Sequence, residues 1–414
     1  MKSVFYSVVL GLFLLSCENK KSTTFNKETG IEEKVTPLIT EIKSPANQNS
    51  SVSNLFIDEQ NQVYLTWTES QKNQNSKLYF STLTENTWSN PIKVSEGNNW
   101  VVNWADFTSL TKFGNNLVAN ILVESNPETY AYDVKLILSS DNGKTWGEPF
   151  LAHTDGTQTE HGFVSLIPID DMHFMAVWLD GRKYETPAEE MTLRAAIFDE
   201  NGQTTQEFIL DKRVCDCCGT NAVMTPDGIA VIYRNRDENE MRDMSIVYYQ
   251  NNEWTEPKLI AIDNWEIAGC PVNGPAIDAY ESDLSIAWFT AANDTGIVKF
   301  VYNKGLGEEF SSPIQINEKS PIGRVDVCVI NQNTSMVSWM EEDSLSSYLM
   351  IRTVKTDGSN QLGNPILITE MNGGRSSGFP KMVKKDNQLV ITWTNVDEEK
   401  SISTVIVNLS EVEL

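Results

Sequence analysis

The sequence predicts an all-β protein, a seven-bladed β-propeller of four-stranded antiparallel blades, and three observations carry that prediction. Seven strand-like runs end on an aromatic or large apolar residue: Trp67 (VYLTW), Leu122 (VANIL), Trp178 (FMAVW), Tyr233 (IAVIY), Trp288 (LSIAW), Trp339 (SMVSW) and Trp393 (LVITW), at steps of 55, 56, 55, 55, 51 and 54 residues. A period near fifty residues built of short strands and turns is the mark of radial repetition. A second marker runs in phase with the first. An apolar residue, two small or polar residues and a proline introduce a short strand at Pro91, Pro149, Pro257, Pro313 and Pro365. Proline cannot donate to a ladder, so it belongs at the first residue of an edge strand, the outermost position of a blade. Finally, the seventh repeat stops near Asn408 without a proline-led fourth strand, and Thr36-Pro37-Leu38-Ile39 supplies the same pattern ahead of the first repeat. An N-terminal strand completing the last blade closes the ring and removes an open sheet edge.

Taken in chain order, residues 1–16 read as a lipoprotein signal peptide. Met1-Lys2 is followed by an apolar run to Leu15, too short to span a bilayer. Leu14-Leu15-Ser16-Cys17 resembles the lipobox of bacterial lipoproteins, which implies lipid attachment at Cys17 and an outer-membrane location facing the periplasm or the cell surface. Residues 17–35 are polar and read as a flexible tether. Residues 36–414 form one propeller domain, because the repeat accounts for nearly all of them. A formal charge of -25 would repel phosphate backbones and excludes nucleic acid as a natural partner. A monomer anchored to the membrane is expected.

The repeat also locates the chemistry. In each blade the innermost strand enters from one face, and the residue 18 positions before the second strand's end lies at that mouth. Cys215 and Cys270 therefore occupy equivalent mouths of adjacent blades. Cys217 and Cys218 lie beside the first in Arg213-Val-Cys-Asp-Cys-Cys-Gly. Exported thiols commonly pair as disulfides. Clustered thiols equally suit zinc or copper, and adjacent Cys217 and Cys218 cannot bridge each other without strain. Cys328, inside an apolar strand, reads as core.

The same register brings Asp106, Glu160, His161, Arg324 and Arg375 to this face. Loops leaving the second strands add Asp180, Arg182, Arg234, Arg236 and Arg242, and Tyr130 and Tyr132 begin a third strand there. Guanidinium groups match carboxylates, so the arginines point to an acidic sugar, unless they pair with neighbouring carboxylates instead. His161 is a candidate base or metal ligand, or a satisfied structural histidine. His173 lies in a hairpin and reads as inert.

Ser139-Ser-Asp141-Asn-Gly143-Lys-Thr145-Trp146 matches the Asp-box, S-x-D-x-G-x-T-W, of sialidases and related propellers. Over about residues 45–410, with its Cys-Asp-Cys-Cys, Tyr-Arg-Asn-Arg and Gly-Cys-Pro-Val-Asn-Gly-Pro segments, the chain resembles bacterial secreted proteins labelled sialidase-like or exo-α-sialidase. The resemblance implies a carbohydrate-active protein. The chain departs from sialidases in having seven repeats where they have six blades, and in lacking the early Arg-Ile-Pro motif. Seven-bladed polysaccharide lyases suggest a different assignment, with His161, Tyr130 or Tyr132 as base and Arg182 or Arg234 neutralising a uronate carboxylate. Three readings follow: a glycan-active hydrolase or lyase with Asp106, Glu160, His161 and the tyrosines as catalytic candidates; a non-catalytic propeller binding glycan or protein; and a metal-thiolate lipoprotein built on Cys215, Cys217, Cys218 and Cys270.

Overall fold

The computed structural model describes residues 23–25, 32–34, 37–70, 75–396 and 398–413. The chain divides into two compact units, 1–37 and 38–414. In the first, Thr23–Phe25 pairs antiparallel with Glu32–Lys34. The expected signal peptide, Cys17 and most of the expected tether lie outside the described residues.

The second unit is the propeller. Seven antiparallel sheets follow one another, with inner strands Ser50–Ile57, Leu110–Phe113, His161–Pro168, Asn221–Thr225, Ala276–Tyr280, Ser320–Asn331 and Lys381–Lys385. The closing strand is where the sequence put it. Ile39–Ile42 pairs with Lys400–Asn408 as the outer strand of blade 7, with Ile39 opposite Val407 and Ile42 opposite Thr404. Outer strands follow Pro91, Pro149, Pro257, Pro313 and Pro365, as Ile92–Gly97, Phe150–Leu151, Lys258–Leu259, Ile314–Gln315 and Ile366–Met371. Blade 3 departs from this pattern. Its outer strand, Thr204–Asp211, has no leading proline.

The second strands are apolar on both faces because each blade is sandwiched between two others. Seven buried clusters result, one at each blade interface, and that between blades 7 and 1 joins Ile402 and Ile406 to Val63, Leu65 and Trp67. The periodic tryptophans have a polar requirement as well. A buried indole N–H costs on the order of 1–3 kcal/mol if unpaired, and here it donates to a side chain two residues on: Trp178 to Asp180 at 2.8 Å, Trp339 to Glu341 at 2.9 Å and Trp393 to Asn395 at 2.7 Å. Trp288 uses Asp263 instead, at 2.7 Å.

Side chains also clasp neighbouring blades around the axis. Asp106 accepts from Phe163 N at 2.8 Å, Asp278 from Val329 N at 2.7 Å and Asp326 from Met382 N at 2.8 Å. Asp278 and Asp326 line a cavity of about 670 Å³ along the channel. The Ser139–Trp146 turn lies on the opposite face from the cysteines. There Asp141 accepts from the backbone and hydroxyl of Thr145 at 2.8 and 2.7 Å, and Gly143 takes φ +81° beneath Phe80.

Candidate functional site

The mouths of the inner strands are built under strain. Four bulky residues hold positive φ, namely Val52 (+54°), Phe163 (+56°), Val272 (+47°) and Arg324 (+52°), and all four stand where a mouth segment enters or approaches an inner strand. Such conformations cost on the order of 1–3 kcal/mol each and cluster where a backbone must be aimed. The strain marks the cysteine-bearing face.

At blade 4 the mouth segment is pinned at both ends. Val214 N donates to Met191 O at 2.9 Å, Cys215 N to Arg234 O at 3.0 Å and Thr220 Oγ1 to Phe163 O at 2.8 Å. Three sulfurs converge as a result: Cys215 Sγ lies 3.8 Å from Cys217 Sγ and 3.6 Å from Cys218 Sγ. Cys270, expected as a fourth member, sits one step aside and exposed. Its sulfur is 3.9 Å from Asp216 Oδ1, and it forms a second close group with Asp216 and Cys217. The five described cysteines are free thiols. Cys328 is buried in blade 6, as its strand suggested.

Beside the thiols stands a carboxyl and phenol group. Glu160 is half-buried, and its carboxyl is raised to about 7, chiefly by burial and then by the charge of Asp216. Asp106 is buried and likewise raised to about 7 by burial, offset in part by the Phe163 N–H and reinforced by Glu160. Its Oδ1 has no hydrogen-bond partner among the described residues. Gly162 is required beneath it, since a Cβ there would stand 2.2 Å from Asp106 Oδ2 and 2.8 Å from the Tyr132 ring. Tyr132 is buried and its phenol is pushed well up, mainly by burial. Tyr130 is exposed and receives a hydrogen bond from Asn103 Nδ2 at 3.2 Å.

Most of the arginines are engaged with the protein itself. Arg234 is buried and donates to the carbonyls of Arg242, Asn273 and Phe289 at 2.7–2.8 Å. Arg324 is buried on Ser377 Oγ, Gly378 O and Gly373 O, and burial lowers it to about 10. Arg182 grips Asp180 through two bonds of 2.7 Å. Arg236 pairs with Glu240 at 2.8 Å, and Arg242 bridges Glu240 at 2.9 Å, Asp216 at 3.4 Å and Cys215 Sγ at 3.1 Å. Arg375 alone of the six predicted arginines is exposed; it has no ion-pair partner among the described residues and lies over the Trp104 ring at 6.0 Å.

His161 is fully buried. Its ring stacks on His153 with centroids 3.8 Å apart at 6°, and its Nε2 faces Asp155 at 3.3 Å and Asp180 at 3.8 Å. It is out of reach of a ligand at the mouth. Neither His153 nor Asp155 stood out in the sequence. Nor did the sequence show that the channel is capped at this face by aromatic packing, where Phe379 stacks on Trp104 at 5.8 Å and meets Phe107 at 6.1 Å. The signal present was composition, Trp104 and Phe107 flanking Ala105-Asp106 in one mouth and Phe379 in another.

No protein-family model matches the chain, and no curated protein matches it. Solved structures do share the fold. An ulvan lyase of a new polysaccharide lyase family, bound to GlcA(1-4)Rha3S, superposes with TM-score 0.56 at 11% identity over 89% of this chain and 96% of its own. The polysaccharide lyase Uly1 gives 0.51 at 11% over 87% and 90%. A Hadza microbial sialidase gives 0.46 at 14% over 82% and 74%. At these identities the likeness is one of fold, that of propellers which include carbohydrate-active proteins.

Proposed function

We propose that the chain is an envelope lipoprotein, anchored through Cys17, whose cysteine-bearing face acts on an acidic sugar, with Glu160 transferring the proton and Arg375 receiving the sugar carboxylate. The observation that carries this reading is Glu160, a solvent-reaching carboxyl held near 7 by burial and by Asp216. A group poised there populates both forms at neutral pH and serves as acid or base. Asp106 is a positioning residue, since it is buried and clasped to Phe163 N. Tyr130 supports the reading as a neighbouring phenol, exposed at this face and held by the hydrogen bond from Asn103 Nδ2. Arg375 is a cation exposed at this face, and the lyase fold likeness favours a uronate over other acidic sugars.

Purified full-length protein should be incubated with sialosides and with uronate polysaccharides, following reducing ends and the absorbance of an unsaturated product. Glu160→Gln should lower any turnover by about a hundredfold or more, the usual contribution of a positioned proton donor or acceptor. Arg375→Ala should act mainly on KM for acidic substrates. Turnover unchanged in both variants would place the chemistry elsewhere, and binding without turnover would leave a glycan-binding propeller. Cys17→Ser should release the protein from the membrane fraction.

A further inference from the structure

We propose that Cys215, Cys217 and Cys218 form a site for one thiophilic metal ion, Cu(I) or Zn(II), with Cys270 or Asp216 completing the ligand set from the adjoining mouth. Spacing favours it first. A tetrahedral thiolate site with Zn–S near 2.3 Å has sulfurs about 3.8 Å apart, and the two Sγ distances from Cys215 are 3.8 and 3.6 Å. All three sulfurs lie within 4.8 Å of one another. A thiol pair packed as core needs no third sulfur equally near.

The site is also preorganised. The segment bearing all three thiols is pinned by backbone bonds from Val214 and Cys215 and by the Thr220 hydroxyl. The next mouth is pressed against it, for a Cβ on Gly274 would stand 2.5 Å from Gly219 O. That approach brings Cys270 beside Asp216 and Cys217, and Cys217 belongs to both ligating groups. Charge points the same way. Three thiolates leave one excess negative charge around Zn(II) and two around Cu(I), a fourth anionic ligand adds another, and Arg242 Nη1 stands 3.1 Å from Cys215 Sγ to offset part of it. Outer-shell cations of this kind hold first ligands in place. Soft sulfur donors select Cu(I) and Zn(II) over calcium or magnesium. The site stands independently of any sugar.

The test uses the full chain purified under reducing, anaerobic conditions and titrated separately with Zn(II), with Cu(I) in a chromophoric chelator buffer, and with Co(II) as a spectroscopic probe. One equivalent of zinc or copper should bind, and competition between them identifies the preferred ion. Co(II) should show thiolate-to-metal charge-transfer absorption. Cys217→Ser should weaken binding at least tenfold, and Cys328→Ser should leave it unchanged. Bound metal should also protect Cys215, Cys217 and Cys218 from alkylation while leaving the rate at Cys328 unaltered, a measurement that needs no variant. Failure of the reduced chain to bind either ion, equal affinity in Cys217→Ser, or the same alkylation rates with and without metal would each overturn the proposal.

Discussion

Blade 3 and the mouth of blade 4 each gather metal-ligating side chains, yet they are built to opposite ends. Between blades 2 and 3, two stacked imidazoles lie among Asp133, Asp155 and Asp180, and the cation positions around Asp155 and Asp180 are already taken. Arg182 reaches Asp155 at 3.1 Å and Asp180 at 2.7 Å, Arg194 lies 3.7 Å from Asp180, and the Trp178 indole donates to the same carboxylate. Asp180 is accordingly lowered despite its burial, first through Arg182, and Asp155 is lowered through His153 and His161 against the same burial penalty. Burial alone would depress the His161 imidazole, yet Asp155 and Asp180 lift it above its ordinary value. At the blade 4 mouth the sulfurs have one cation, Arg242, and each other. A donor set becomes a metal site only where its lone pairs are not already spent on the protein's own cations.

The largest effect that would sharpen this contrast lies in blade 3. Asp180→Ala removes the anion shared by Trp178, Arg182 and His161, and leaving such buried partners uncompensated costs about 3–5 kcal/mol. Urea unfolding should show that loss, with zinc or copper binding at the thiols intact. Next comes the response to metal. Saturating zinc or copper at a hundred times its dissociation constant should raise the unfolding free energy by about 2.7 kcal/mol. At the same metal concentration the gain should shrink by about 1.3 kcal/mol or more in Cys217→Ser and persist in His161→Gln. A gain that vanished instead in His161→Gln would move the site to blade 3 and break the comparison.

How much of this was legible in the sequence depends on the range of the interaction that decides it. The blade count, the closing strand at Ile39–Ile42 and the converging sulfurs follow from phase, because a repeat of constant length places equivalent residues at equivalent sites. The partners of the arginines do not. Arg234 spends itself on Phe289 O, one full repeat away, and on Asn273 O in the next mouth. A carbonyl has no side-chain identity to read, so Arg234 and Arg324 looked like ligand-binding cations and are in fact inter-blade fasteners. His153 was missed for a related reason. It stands just past the outer strand of blade 2, while His161 opens the inner strand of blade 3, and only the blade contact stacks the two rings. That two of three histidines share the one linker between these blades was the hint the sequence held.

A smaller effect tests the packing that separates the sugar-facing group from the core. Gly162→Ala inserts a Cβ against Asp106 and the Tyr132 ring, and overpacking of this kind costs about 1–3 kcal/mol. Thermal unfolding should report it. Because Gly162 lies beneath Asp106 and the Tyr132 ring rather than beneath the thiols, metal affinity should stay within a factor of two or so.

The smallest effect is a pH dependence that sets Asp106 against Asp180. Asp180 is depressed by its cations, so the stability it contributes is present above the ordinary carboxylate range and is lost as pH falls. Asp106 has the opposite sign. Its carboxyl is raised from 3.8 to about 7 by burial, so the folded state holds a proton that the unfolded chain has released, and that contribution is lost as pH rises from about 4 through about 7. Asp106→Asn keeps an acceptor for Phe163 N and removes the titration. The variant should therefore unfold with a flatter pH profile and be more stable than the wild type at pH 8. A profile parallel to the wild type's across pH 4–8 would show that Asp106 is ionised throughout.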